Sequence, residues 1–135
     1  MNKKYILDSD ILIYFLKGDK DAIEKVLSLP KDDLYITIVN YTELLYGIYN
    51  SNKVTQNKEK ILPFLEKFKL LQFDKSSSKI FAKLKAKLKK QGNIIADMDL
   101  MIASIAISNK AILFTNNLKH FKRIESLKIL SFEKI

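Results

Sequence analysis

Carboxylates supply most of the reactive chemistry in this sequence. Asp8 and Asp10 flank Ser9 directly behind the apolar run Tyr5-Ile6-Leu7, and Glu43 follows a second β-prone run at 34–38. Asp97 and Asp99 precede an apolar stretch at 100–108, and Thr115, Asn116 and Asn117 follow a short apolar run at 111–114. No Cys is present and His120 is the one His, so thiolate zinc sites, Cys nucleophiles and catalysis by paired imidazoles are excluded. Carboxylates packed into a low-dielectric cleft repel one another unless a proton or a cation compensates them. A hard divalent ion, Mg²⁺ or Mn²⁺, takes carboxylate, amide and water oxygens, and it can activate water and screen charge on a phosphoryl group.

Whether these groups meet depends on the elements that carry them. Periodicity predicts strands over 4–7, 34–38, 70–73, 111–114 and 128–132, with helices over 11–17, 19–29, 40–49, 57–68, 76–91 and 100–108 and a helical turn over 117–121. Gly18, Pro30 and Gly92-Asn93 act as stops, and Pro63 is expected to kink or break its helix. Strands alternating with helices argue an α/β fold with a mainly parallel sheet of about five strands, in a single domain spanning residues 1–135. In such a sheet the polar groups at strand ends converge on one edge. Asp8, Asp10 and Glu43 fall there, as do Thr115, Asn116 and Asn117. The helix after Asp99 must finish near the start of the next strand, so its own beginning returns to that edge.

Each acid also has a purely structural reading. Asn40 and Glu43 fit a capping box, and Asp97 could cap the following helix with Asp99 favourable beside its dipole. Asp8, between an apolar strand and an apolar helix, is harder to leave in solvent.

The runs Ile6-Leu7-Asp8-Ser9-Asp10-Ile11-Leu12-Ile13, Thr42-Glu43-Leu44-Leu45-Tyr46-Gly47, Asp99-Leu100-Met101-Ile102-Ala103-Ser104 and Leu113-Phe114-Thr115-Asn116-Asn117, with His120-Phe121 after them, resemble the PIN domain and more narrowly its VapC-type toxin nucleases. The resemblance implies a three-layer α/β/α fold, a divalent-metal-dependent endoribonuclease whose products carry a 5′-phosphate, and a cognate antitoxin protein. It puts Asp8, Glu43 and Asp99 at the family's acidic metal positions. Asn117, with Asn116 beside it, stands where the fourth acid is often Asp. Asp10 and Asn40 match positions of small polar residues that support the site, and Asp97 lies two residues off the motif. In this reading Thr115 and Asn117 position water or phosphate oxygens.

With 24 Lys and Arg against 15 Asp and Glu the chain carries +9, which suits an acidic, metal-filled pocket inside a phosphate-attracting rim. Lys119, His120, Lys122 and Arg123 lie nearest the proposed site and are candidates for backbone phosphate; the lysines at 79, 83, 87 and 90, with 85 and 89 alongside, read as a solvated helix face. His120 also reads as a packing or surface residue. Tyr5, Tyr14, Tyr41, Tyr46 and Tyr49 read as core and interface, with Tyr46 and Tyr49 at a homodimer or antitoxin surface. Asp8 and Asp10 interrupt any signal-peptide core, and no run approaches the ~20 apolar residues of a membrane span, so a cytoplasmic protein without a membrane partner is expected. Two rivals remain. Asp8-Ser9-Asp10 also resembles the first motif of haloacid-dehalogenase-type phosphatases, with Asp8 as nucleophile and Thr37, Lys79 and Asp97 or Asp99 in support. Asn at the fourth acidic position suggests a catalytically inert PIN-like RNA- or partner-binding module.

Overall fold

A computed structural model describes residues 3–132. Five strands, β1 (Tyr5–Leu7), β2 (Leu34–Thr37), β3 (Lys69–Leu71), β4 (Ile112–Thr115) and β5 (Lys128–Ser131), form one sheet in the order β3-β2-β1-β4-β5, and every pairing is parallel. The helices are α1 (Ser9–Leu16), α2 (Lys20–Leu27), α3 (Ile38–Tyr49), α4 (Val54–Leu65), α5 (Lys75–Lys90), α6 (Asp97–Ser108) and α7 (Leu118–Phe121).

Alternation along the strands divides the core in two. Ile6 and Leu113 pack with Leu88, Leu100, Ile102, Ile105 and Phe121 on one face; Leu7 and Phe114 pack with Ile11, Leu12, Val26, Leu44 and Leu65 on the other. This is the three-layer α/β/α arrangement. Helix α6 is enclosed on nearly every side, with Leu100, Ile102, Ala103, Ser104, Ile105 and Ala106 all buried. Each large aliphatic side chain buried this way contributes roughly 1.5–3 kcal/mol, so the helix bearing Asp99 is firmly anchored.

Three boundaries differ from expectation in ways that bear on the site. Helix α3 begins at Ile38 because Thr37 caps it, the box partner being Asn40 rather than Glu43. Helix α6 begins at Asp97, three residues before its apolar pattern, and Ala96 caps it without a side-chain bond. Helix α4 runs through Pro63, which is exposed near its C-terminal end. Among the described residues no helix is long and apolar enough to cross a membrane.

Candidate active site

β1, β2 and β4 end at one sheet edge, and the chain after each of them supplies polar groups there. Asp8 is the N-cap of α1 and is only 6% exposed. Its Oδ1 accepts from the Ser9 amide at 2.8 Å and from Asn40 Nδ2 at 3.4 Å, and its Oδ2 accepts from the Thr115 hydroxyl at 2.7 Å. The Ser9 hydroxyl donates to Glu43 Oε1 at 2.8 Å and accepts from Asn40 Nδ2 at 3.0 Å. Asn40 is itself fixed: its Oδ1 accepts from the Thr37 amide at 3.0 Å and the Thr37 hydroxyl at 2.7 Å. On the other flank, Asp10 Oδ2 accepts from the Asn116 amide at 3.1 Å, and Asn116 Nδ2 donates to the Tyr14 hydroxyl at 3.0 Å.

These contacts shape a cleft of about 310 Å³ lined by Asp8, Ser9, Asp10, Glu43, Asp99, Asn116 and Asn117. Four carboxylates share it, and no Lys or Arg is among the described residues that line it. The electrostatics reflect that crowding. Burial, then the neighbouring Asp10 charge, pushes the Asp8 carboxyl up to about 7. Burial likewise raises Asp10, Glu43 and Asp99, with Asp99 adding repulsion at Asp10 and Glu43, while the nearby His120 opposes the rise at Asp99. A carboxyl moved from 3.8 to about 7 prefers its neutral form by roughly 4 kcal/mol more than a solvated one.

Chemically, the described residues that line the cleft bring negative charge and no Lys or Arg to balance it. Asp10 Oδ1 is buried without a hydrogen-bond partner, an expensive condition for a carboxylate oxygen. An all-oxygen set of four carboxylates and two Asn side chains fits a hard divalent cation such as Mg²⁺ or Mn²⁺. Among the described residues no three His, Asp or Glu side chains already stand at ligand spacing around one point. The donors thus share a cleft rather than a finished cage.

The sequence-derived candidates separate clearly. Asp8, Asp10, Glu43, Asp99, Asn116 and Asn117 come together, and Asn40 supports them from below. Thr115 does not face the cleft: it is fully buried, donating to Asp8 and accepting from the Asn117 amide at 2.9 Å, so it orients Asp8 rather than water or phosphate. Asp97 neither caps α6 nor joins the site; it turns outward to Lys85 at 2.9 Å. Glu43 is no capping residue, since Asn40 has taken that role. Asn117 Nδ2 lies 3.0 Å from His120 Nδ1, which is 3.8 Å from Asp99 Oδ2, too long for a hydrogen bond. Lys119, Lys122 and Arg123 are exposed beyond that point. The phosphatase constellation fails to assemble, because Thr37 is buried in the α3 cap and Lys79 is absent from the cleft lining. Ser9, the hub joining Glu43, Asn40 and Asp8, was missed; its only sequence signal is a hydroxyl held between two acids after an apolar strand.

Comparison with known proteins agrees with this geometry. The PIN domain family model matches residues 5–127. Ribonuclease VapC2 of Rickettsia felis is 34% identical over 132 residues, covering 96% of this chain and 98% of the relative. The tRNA(fMet)-specific endonuclease VapC of Shigella flexneri is 29% identical over 125 residues, covering 93% and 95%. The crystal structure of VapBC2 from Rickettsia felis bound to a promoter DNA fragment superposes with a TM-score of 0.89 at 33% identity, over 96% of this chain and 98% of that one.

Proposed function

This chain belongs to the PIN-domain family, among its VapC-type ribonucleases, and from that membership we propose that it is a divalent-metal-dependent endoribonuclease, the toxin of a toxin-antitoxin pair. The observation that carries the reading is the convergence of Asp8, Asp10, Glu43 and Asp99, from three segments far apart in sequence, in one cleft with no Lys or Arg among the described residues that line it.

In this mechanism Asp8, Glu43 and Asp99 would hold the cation, and Asp10 Oδ1, which has no hydrogen-bond partner among the described residues, would be a further donor. When bound, the ion activates water and screens the phosphate. The chain's own residues do the rest. Thr115 and Asn40 fix Asp8, and Ser9 fixes Glu43, which keeps both carboxylates in the cleft although they do not yet stand at ligand spacing. Asn117 and Asn116 present amide groups at the cleft wall to orient water or a phosphate oxygen. Asn117 carries no charge where the family often has Asp; Asp10 keeps the number of carboxylates at four and so favours catalysis over an inert fold. Lys119, Lys122 and Arg123 supply backbone-phosphate contacts beyond the cleft. Attack by water leaves the ribose 2′-OH without a role as nucleophile; in the cleavage that the family resemblance implies, the P–O3′ bond breaks, the 3′-oxygen departs with a proton from water as a 3′-hydroxyl, and the phosphate stays on the 5′-oxygen.

Partners follow the same reading. The VapBC complex among the structural neighbours supports a cognate antitoxin, and Tyr46 and Tyr49, 67% and 59% exposed on α3, remain the surface proposed for a homodimer or antitoxin contact. The test is purified protein on tRNA transcripts, the substrate class named for the Shigella flexneri relative, with Mg²⁺ or Mn²⁺. Cleavage that stops with EDTA and in Asp8→Asn is expected; cleavage surviving both would refute the metal site.

A further inference from the structure

The charge of +9 is not spread along the chain. Residues 1–74 hold eleven Lys and Arg and eleven Asp and Glu, whereas residues 75–135 hold thirteen and four, so the whole excess begins with α5. Such an asymmetry marks a surface for a polyanion. Lys83, Lys85, Lys87, Lys89 and Lys90 all stand exposed on the C-terminal half of α5.

The fold decides which of them approach the acidic cleft. α5 runs antiparallel to α6: the Ser108 hydroxyl donates to Ser76 Oγ at 2.7 Å at one end, and Lys85 Nζ meets Asp97 at 2.9 Å at the other. Asp97 lies two residues from Asp99, so the C-terminal half of α5 sits beside the first turn of α6, which also walls the cleft. There a second pocket of about 420 Å³ opens, lined by Lys85, Lys89 and Asp97 as its charged groups, by the buried Leu88, Ile95 and Leu100, and by the 74%-exposed Ile94. Arg123 donates to the Ile94 carbonyl at 3.2 Å, which ties the basic segment 119–123 to the same side.

We propose that this pocket is a subsite for a nucleotide of single-stranded RNA flanking the bond held in the acidic cleft, with Lys85 and Lys89 on its backbone phosphate and the apolar floor and Ile94 against its unstacked base. The proposal rests on the ribonuclease reading. A rim of two lysines and one aspartate over an apolar floor suits a nucleotide, which offers an anion and an apolar face on adjoining groups; single-strand-binding proteins pair a positive groove with aromatic platforms, and here the platform is aliphatic. The Lys85–Asp97 pair is no obstacle, since both side chains are more than half exposed and such pairs are weak enough for a phosphate to replace.

The test is fluorescence anisotropy of a labelled mixed-sequence single-stranded RNA oligonucleotide, in EDTA so that no strand is cut, across a salt series with the full chain. Lys85→Gln/Lys89→Gln is expected to weaken binding about tenfold at low salt and to make the slope of log K against log salt shallower by about 0.7, one phosphate contact on a single strand. Ile94→Ser should weaken binding about threefold with the slope unchanged, because it removes apolar contact alone. Lys75→Gln/Lys79→Gln, the same loss of charge at the far end of α5, should leave the slope as it was. A wild-type slope in Lys85→Gln/Lys89→Gln would overturn the subsite and leave the pocket to a protein partner; an equal loss in Lys75→Gln/Lys79→Gln would overturn it in favour of diffuse attraction. Cleavage assays keep the two readings apart. Normal cutting of RNA alongside an unchanged slope sinks the subsite and spares the nuclease, while a shallower slope in a chain that never cuts sinks the nuclease and spares the subsite.

Discussion

Asp8 and Asp74 both begin helices, and both accept the amide hydrogen bonds of an N-cap. At the start of α5, Asp74 is exposed, and its partner Ser77 donates through both its amide and its hydroxyl, returning the favour by accepting from the Asp74 amide at 3.1 Å. Ser77 holds that carboxyl below the usual carboxylate range. At the start of α1 the same residue type in the same local role is driven the opposite way, because burial and the charges of Asp10 and Asp99 outweigh the Thr115 and Ser9 bonds. Capping geometry therefore does not separate a structural aspartate from one proposed to bind metal. Burial in the company of like charge does, and the hydrogen bonds at Asp8 hold together an arrangement that is unfavourable while its carboxylates stay charged and uncompensated.

The sharpest way to break this contrast is substitution. Asp8→Asn, or Asp99→Asn, should cut metal-dependent RNA cleavage by about 10³-fold or more, in the range expected when a site loses a group that stabilises transition-state charge, whereas Asp74→Asn should leave the rate within about twofold. Comparable losses from Asp8→Asn and Asp74→Asn in a cleavage time course would erase the distinction.

Stability against pH comes next. A carboxyl whose folded pKa is raised binds its proton more tightly when folded, so its contribution to stability is complete below the unfolded value and lost as pH rises through the folded one. In EDTA, Asp8 should thus lower unfolding free energy by up to roughly 4 kcal/mol between about pH 4 and about pH 7, and Asp8→Asn should flatten that fall. Asp74 has the opposite sign: its lowered pKa contributes stability above the unfolded carboxylate range that is lost on acidification. Urea denaturation of the wild type and of each Asn variant at about pH 3, about pH 5 and about pH 8 reads both slopes, that of Asp74 between the first two and that of Asp8 between the last two.

Positioning residues should show smaller effects. Ser9→Ala releases Glu43 and is expected to lower kcat by about tenfold with little change in melting temperature; Ser77→Ala should do the reverse, lowering the melting temperature while leaving cleavage intact. Steady-state kinetics beside thermal melts would separate them.

Much of the fold was legible because its elements obey simple periods. Ile6, Leu7, Leu113 and Phe114 lie in short apolar runs, and Ile80, Phe81, Leu84 and Leu88 recur on one face of α5, so strands and helices could be placed within a few residues. The strand-end rule then gathered Asp8, Asp10, Glu43 and Asp99 at one edge, as the cleft lining has them. The misreadings were local competitions that spacing alone does not resolve. Asn40 precedes Glu43 by three residues and so resembles a capping box, yet Thr37 precedes Asn40 by the same interval and wins the cap. Asp97 turned out to answer Lys85 across a helix pair, and Thr115 to answer Asp8 from 107 residues away. Ser9 acquires its role only when α3 arrives with Asn40 and Glu43, a tertiary event invisible in its own neighbours.

Calorimetric titration of Mn²⁺ into the EDTA-stripped, dialysed chain at about pH 7.5 tests the central claim most directly, with Asp8→Asn, Glu43→Gln and Asp99→Asn measured alongside. Stoichiometric binding by the wild type that weakens severely in each variant, although the three residues belong to different segments, is the predicted result. Binding of undiminished affinity in all three variants would contradict a cation shared by these carboxylates.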